Sequence, residues 1–322
     1  MTDARQHGPA VVTGGAGAIG SVLVRALLAR GREVRVIDNL SSGRRAHLPA
    51  GGEAAKLAVV EADLRDPATF QEACAGAAEL WHLAANTDIQ RGSADPRIDF
   101  ENGMRATFQA LETARAQHIP RFFFASSSAV YGLATVLPTP EEYGPLVPES
   151  LYGAAKLAAE GMCAAYAHSY GLQVYVYRFA NIIGPGMTHG VLYDFFEKLR
   201  RDPTRLEVLG DGRQSKSYLR TEDCVSGMLA AADTANGRYN LFNLGTRDRT
   251  SVKEIAEKVV AAHGGGARIE YRGGDRGWTG DVPQALLSID RIEALGWRPS
   301  SSSGGAIDRT VREMVEARRT GA

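Results

Sequence analysis

The segment Thr13-Gly14-Gly15-Ala16-Gly17-Ala18-Ile19-Gly20 narrows the possible folds of this chain more than any other. It joins a short apolar run, Ala10–Thr13, to an apolar stripe at Val22, Leu23, Ala26 and Leu27. A four-residue apolar run, a glycine turn and a helical stripe read as strand, turn and helix. Glycines at 14, 17 and 20 allow a tight turn and let backbone N–H groups approach a pyrophosphate at the helix N-terminus. Asp38 ends the next strand, 18 residues after Gly20. A carboxylate there accepts from an adenosine ribose diol and repels a 2′-phosphate, which favours NAD over NADP. Arg44 and Arg45, just beyond, soften that preference.

The alternation continues. Glu33–Ile37, Leu57–Val60, Leu80–Leu83, Arg121–Ala125 and Val174–Arg178 are short and rich in β-branched or aromatic residues. Several lack a polar face, as strands covered on both sides do. Met104, Phe108, Leu111 and Ala114 make a second helical stripe. This βαβ rhythm predicts an α/β chain with a doubly wound parallel sheet of the Rossmann type. After Gly184 the rhythm breaks into longer loops, and a later helix opens at Ser251 with Glu254 completing a capping box. The expected plan is a dinucleotide-binding domain over 1–183 with a return near 217–247, and a smaller α/β substrate-binding part mainly over 184–322. Asp63-Leu64 ends the third strand. Asp63 or Asp66 caps a helix before Pro67, or Asp63 contacts an adenine. His82-Leu83-Ala84-Ala85-Asn86 ends the fourth with small residues that leave room for a ligand at the sheet's carboxyl edge.

Composition excludes several classes. At 322 residues, 44% hydrophobic and 23% charged, the chain is neither disordered nor too small for a core. Lys+Arg and Asp+Glu are both 37, which argues against broad nucleic-acid binding. Cys74, Cys163 and Cys224 are too scattered for a disulfide framework, and no His/Cys cluster suggests a metal. No signal peptide or membrane span is expected, so a soluble cytoplasmic protein is the default expectation.

Tyr152 and Lys156 lie four apart and share a face if helical. A nearby ammonium favours phenolate over phenol, lowering the tyrosine pKa toward neutrality and making it a general base. Ser126-Ser127-Ser128 follows an apolar strand, where a serine can hydrogen-bond a reacting oxygen and relay its proton.

Taken together, Thr13–Gly20, Asp38–Gly43, Asp63-Leu64, His82–Ala85, Asn102, Ser126–Gly132, Tyr152–Lys156 and Arg178–Asn181 give the chain a family resemblance. It resembles the extended short-chain dehydrogenase/reductases, in their nucleotide-sugar epimerase/dehydratase branch. The resemblance implies a tightly held NAD and a catalytic Ser127, Tyr152 and Lys156, with Ser127 placed by Val130-Tyr131-Gly132. The cofactor set it implies takes Gly14, Gly17, Ala18, Ile19 and Gly20 from the turn, and Asp38, Asn39, Ser42 and Gly43 after the second strand. Asp63, Leu64, Leu83, Ala84 and Ala85 follow. Asn102, Ser126, Tyr152, Lys156 and Phe179 complete it, with Ser126 expected to face the cofactor.

The two residues after Ser127 narrow the branch. The family's 4,6-dehydratases carry Asp-Glu there and its UDP-glucuronate decarboxylases a Glu; this chain has Ser128-Ala129. Without an acid, hydride removal and return is the reaction left, which is epimerisation; the alternative is an NAD-dependent nucleotide-sugar reductase or decarboxylase of the same family, and an intact Ser127, Tyr152 and Lys156 argue against a non-enzymatic nucleotide sensor. The second half is similar to UDP-glucose 4-epimerases. That similarity implies a substrate set of Thr87, Ser127, Ser128, Tyr152, Asn181, Gly190, Val191, Lys216 and Arg276. Lys216 and Arg276 are its diphosphate cations, Lys216 standing where most members have Arg. Thr87, Arg91 and Arg178 are the candidates to recognise a carboxylate at C6, which would separate UDP-glucuronate from UDP-glucose. Arg178 has a rival reading as a structural residue under the sheet edge. The resemblance also implies a homodimer paired through Asn102–Gln117 and Tyr152–Ser169, with Phe108, Leu111, Met162 and Tyr166 as extra apolar positions.

Overall fold

The structure, a computed structural model, describes residues 8–320 apart from Thr87 and Thr279. Seven parallel strands form the main sheet: β1 (Ala10–Thr13), β2 (Val34–Asp38), β3 (Leu57–Glu61), β4 (Glu79–His82), β5 (Arg121–Ser127), β6 (Gln173–Phe179) and β7 (Tyr239–Leu244). Their spatial order is β3-β2-β1-β4-β5-β6-β7. The order reverses between β1 and β4, and the crevice outside the carboxyl ends at that point is where doubly wound sheets bind ligands.

Both sheet faces are covered, which explains the continuous apolar strands. Val12, Val36, Phe123 and Tyr177 pack on one side with Leu23 and Leu27 of the first helix, Ala18–Ala29. Val11, Ile37, Phe122 and Phe124 pack on the other with Leu111 and Cys163. The stripe expected at Met104, Phe108, Leu111 and Ala114 is turned by about a residue. Leu111 and Ala114 are buried, but Phe108 is 47% exposed and Ala106 and Ala110 take the inward positions. The helix begins as a π-turn, Phe100–Arg105, before the α-helix Ala106–Ala116. This turn sets Gly103 against the next helix, Leu151–Tyr170, where a Cβ would lie 2.9 Å from that of Ala155.

β7 arrives from the second half of the chain and pairs with β6 along Tyr239–Leu244. The second half has its own core of Leu192, Phe196, Val208, Ile255 and Ile307. Its helix Val252–His263 opens with the capping box, Ser251 and Glu254 bonding reciprocally. Ser215–Lys216 lies between Thr250–Ser251 and Gln284–Ala285, so Lys216 is held by backbone pairing on both sides.

Candidate active site

The glycine turn is closed by backbone contact. A Cβ on Gly14, whose φ is +69°, would lie 2.8 Å from the Ala84 nitrogen, and one on Gly20 would lie 2.2 Å from the Gly14 carbonyl. Gly17 occupies the N-cap of Ala18–Ala29 without a side-chain cap, and the first turn holds no acid. The helix therefore presents unmatched N–H groups and a positive dipole end, a fit for a pyrophosphate. Asp38 is buried at the end of β2. Its Oδ2 accepts from Ala16 N and its Oδ1 from Leu40 N, each at 2.9 Å. Those bonds fix the carboxylate while leaving lone pairs for a ribose diol. Gly43 keeps this corner open, since a Cβ there would meet Asp38 Oδ2 at 3.0 Å. Ser42, Arg44 and Arg45 lie exposed on the loop beyond.

Asp66, not Asp63, caps the helix Pro67–Ala73. The Asp63 carboxylate accepts from Arg65 at 2.8 and 2.7 Å and from Asn39 Nδ2 at 3.0 Å. The guanidinium holds its pKa well below the usual carboxylate range. Any adenine contact at this corner therefore competes with that pairing. Leu64 is buried. Leu83, Ala84 and Ala85 are half-buried past β4, and Ala84 N donates to Thr13 Oγ1 at 3.2 Å. Asn102 lies in the π-turn, donating to Ile98 O at 2.8 Å.

Ser126 and Phe179 turn away from the cleft. Ser126 Oγ donates to Glu160 Oε1 at 2.5 Å, so its hydroxyl is engaged within the fold. The strand's alternation puts it on the face toward the helix Leu151–Tyr170, with Ser127 on the other. The Phe179 ring is packed in the core, 6.4 Å from the ring of Tyr177. Arg178 takes its structural reading: it donates to Glu160 at 3.0 and 2.6 Å and to Glu141 O at 3.1 Å. It is 4% exposed and does not line the cleft.

Ser127, Tyr152 and Lys156 do come together. Ser150 Oγ caps the helix Leu151–Tyr170 by accepting from Gly153 N at 3.1 Å, which starts the helix just before Tyr152. The Ser127 hydroxyl lies close enough to the Tyr152 phenol to favour its ionised form. Lys156, buried four residues on, donates from Nζ to Ala125 O at 2.6 Å and lies 5.8 Å from the Tyr152 ring centroid. The electrostatics differ from expectation. Burial pushes the Tyr152 phenol up to about 12, outweighing Ser127. Burial pulls Lys156 down to about 8. The ammonium lies over the ring face and bonds a backbone carbonyl, so desolvation dominates both groups. His82 is held by Thr13 and Thr107 at 2.9 and 3.1 Å, with a pKa lowered to about 3 by burial, so it stays neutral.

An open cleft lies beside Ser127. Ser127, Ser128, Asn181 and Lys216 line it, as do three residues that sequence reasoning missed: Glu149, Trp278 and Asp281. The expected diphosphate cations are not free. Lys216 Nζ donates to Asp281 Oδ1 at 2.5 Å, and Arg276 Nη1 to Glu149 Oε2 at 2.9 Å. Gly190 caps the helix Val191–Arg201 outside the cleft lining, so Gly190 and Val191 do not join this group. Arg91 is exposed on a short helix, and Thr87 lies outside the described residues. Among the described residues there is no cluster that could hold a metal ion, and no helix long and apolar enough to cross a membrane.

The chain is similar to known proteins over nearly its whole length. It is 32% identical to the UDP-glucose 4-epimerase of Mycolicibacterium smegmatis, covering 94% of this chain and 96% of that protein. A crystal structure of a UDP-galactose 4-epimerase matches with a TM-score of 0.85 at 40% identity, over 96% of this chain and 99% of that one. A dTDP-glucose 4,6-dehydratase from Streptomyces venezuelae, solved with NAD, matches with a TM-score of 0.87 at 27% identity, over 97% and 98%. The family model described as the NAD dependent epimerase/dehydratase family matches residues 10–245. The chain belongs to that family, and its cofactor is NAD.

Proposed function

We propose that the chain is a UDP-hexose 4-epimerase. The observation that carries this reading is a cleft lined by Ser127, Ser128 and Ala129, with the Tyr152 phenol beside Ser127 and no carboxylate at positions 128 and 129. An elimination at C5–C6 needs a proton acceptor and donor beside the sugar. The acids that do line the cleft are ion-paired, Glu149 with Arg276 and Asp281 with Lys216.

The dinucleotide supplies an acceptor for the C4 hydride and gives the hydride back. The chain's residues handle the proton. Tyr152 Oη takes it from the C4 hydroxyl, with Ser127 Oγ sharing that hydrogen bond. Lys156 keeps a positive charge beside the ring as negative charge develops on Oη. The same pair returns the proton after the planar 4-keto sugar has turned about its diphosphate. The Gly14–Gly20 turn and the helix N-terminus hold the pyrophosphate of NAD, and Asp38 its adenosine ribose. Asn181, Lys216 and Arg276 hold the substrate diphosphate, each cation exchanging a carboxylate for phosphate oxygens. Phe100, Phe108, Leu151 and Tyr170 expose apolar surface on the helices around 100–116 and 151–170, which supports pairing of two copies there. The test is to supply UDP-glucose, without added NAD, to the purified protein. Conversion to UDP-galactose without net NADH supports the reading; a reduced or dehydrated product refutes it.

A further inference from the structure

Resting on the epimerase reading above, we infer that Glu149 sets the charge of the sugar this cleft accepts, selecting a hexose neutral at C6 over a uronate. Glu149 stands three residues before Tyr152 and directly before the capping Ser150. The turn that carries it is fastened to the cleft floor. A Cβ on Gly153 would lie 2.7 Å from the Ala129 carbonyl and 3.0 Å from Pro148 Cβ. From the other wall, a Cβ on Gly280 would lie 3.0 Å from the Glu149 carbonyl. The Glu149 backbone is thus held between two walls and has little freedom to withdraw its carboxylate.

The charges around the cleft lean acidic. Among the described lining residues, the charged side chains are Glu149, Asp281 and Lys216. Lys216 is engaged by Asp281, and Arg276 reaches Glu149 from the rim, its side chain 35% exposed. Arg178 is closed off by Glu160. A nucleoside diphosphate competes with Glu149 for Arg276, and phosphate bound at that guanidinium takes up part of the positive charge that now offsets Glu149. The sugar then shares the cleft with a carboxylate that is less fully neutralised. A hydroxymethyl group donates a hydrogen bond to a carboxylate. A uronate brings a second negative charge with no unpaired cation among the described lining residues, and like charges repel more strongly in a partly desolvated site than in water.

The experiment compares initial rates on UDP-glucose and UDP-glucuronate for the wild type and Glu149→Gln, with Glu149→Ala as a second variant should the first fail to fold. UDP binding by calorimetry checks the nucleotide end. The wild type should favour UDP-glucose in kcat/KM. Glu149→Gln should lower that preference by ~10-fold or more, one decade being ~1.4 kcal/mol, chiefly by improving UDP-glucuronate. A wild type that prefers UDP-glucuronate, or an unchanged ratio in the variants, overturns the inference and leaves the epimerase reading standing. A wild type inert toward both sugars overturns that reading and the inference together.

Discussion

Replacing Lys156 with Met should change how stability depends on pH, by an amount that follows from the burial of its ammonium. Lys156 is 4% exposed, donates to Ala125 O and lies 4.9 Å from the Phe124 ring centroid. Desolvation lowers its pKa from 10.5 to about 8. A base with a depressed folded pKa releases its proton earlier in the native state than in the unfolded chain. Between about 8 and 10.5 the unfolded chain therefore binds more protons, and stability rises with pH. Over that window, at ~1.4 kcal/mol per pH unit, the wild type gains ~3 kcal/mol that Lys156→Met cannot gain. Packing changes and the lost bond to Ala125 O shift the two curves by a constant and leave this difference untouched. The Tyr152 phenol, raised to about 12, loses stability above its ordinary 10 in both proteins alike. Urea unfolding followed by tryptophan fluorescence at pH 7, 8, 9 and 10, on protein stripped of dinucleotide, reads the effect. Parallel curves for wild type and variant would show that the ammonium carries no burial cost.

Three further outcomes are expected. Tyr152→Phe keeps the ring and removes the proton-transfer oxygen, so turnover should fall ~10²-fold or more with NAD still bound, as read by initial rates and released dinucleotide. Asp38→Ala should weaken NAD and reduce discrimination against NADP, because a 2′-phosphate no longer meets a carboxylate; mass analysis of the dinucleotide released on denaturation checks it. Light scattering at micromolar concentration should give the mass of a homodimer, and Phe108→Glu, which charges an exposed apolar face, should shift it toward monomer.

Six strands of the sheet were legible as short apolar runs, five of them covered on both faces and β3, at the sheet edge, only partly. β7 was not read as a strand. Asn240 and Asn243 interrupt its apolar pattern, and their reason is tertiary: Asn240 donates to Val174 O and Asn243 to Thr139 O and Ser288 O. The glycine turn and the Tyr152/Lys156 spacing were readable because local chemistry requires those residues at those intervals. The direction of Ser126 was not, since Glu160 meets it across 34 residues of sequence. The partners of Lys216 and Arg276 were hidden for the same reason, lying 65 and 127 residues away. Spacing also predicted the wrong shift for Tyr152. Two residues four apart on a helix guarantee proximity, whereas the pKa depends on how much water the fold removes from both. Glu149 carries no local signal; it matters because Gly153 and Gly280 press its turn between two walls of the cleft.

In the proposed epimerase, one hydride leaves C4 and the same hydride returns. The most direct test is to run UDP-glucose to equilibrium in deuterated water without added NAD and inspect the sugar by NMR. UDP-galactose with no deuterium at C4, C5 or C6 is expected, because only hydroxyl protons pass through Tyr152 and Ser127. Solvent deuterium at a sugar carbon, or product formed only when NAD is added in stoichiometric amount, would contradict it.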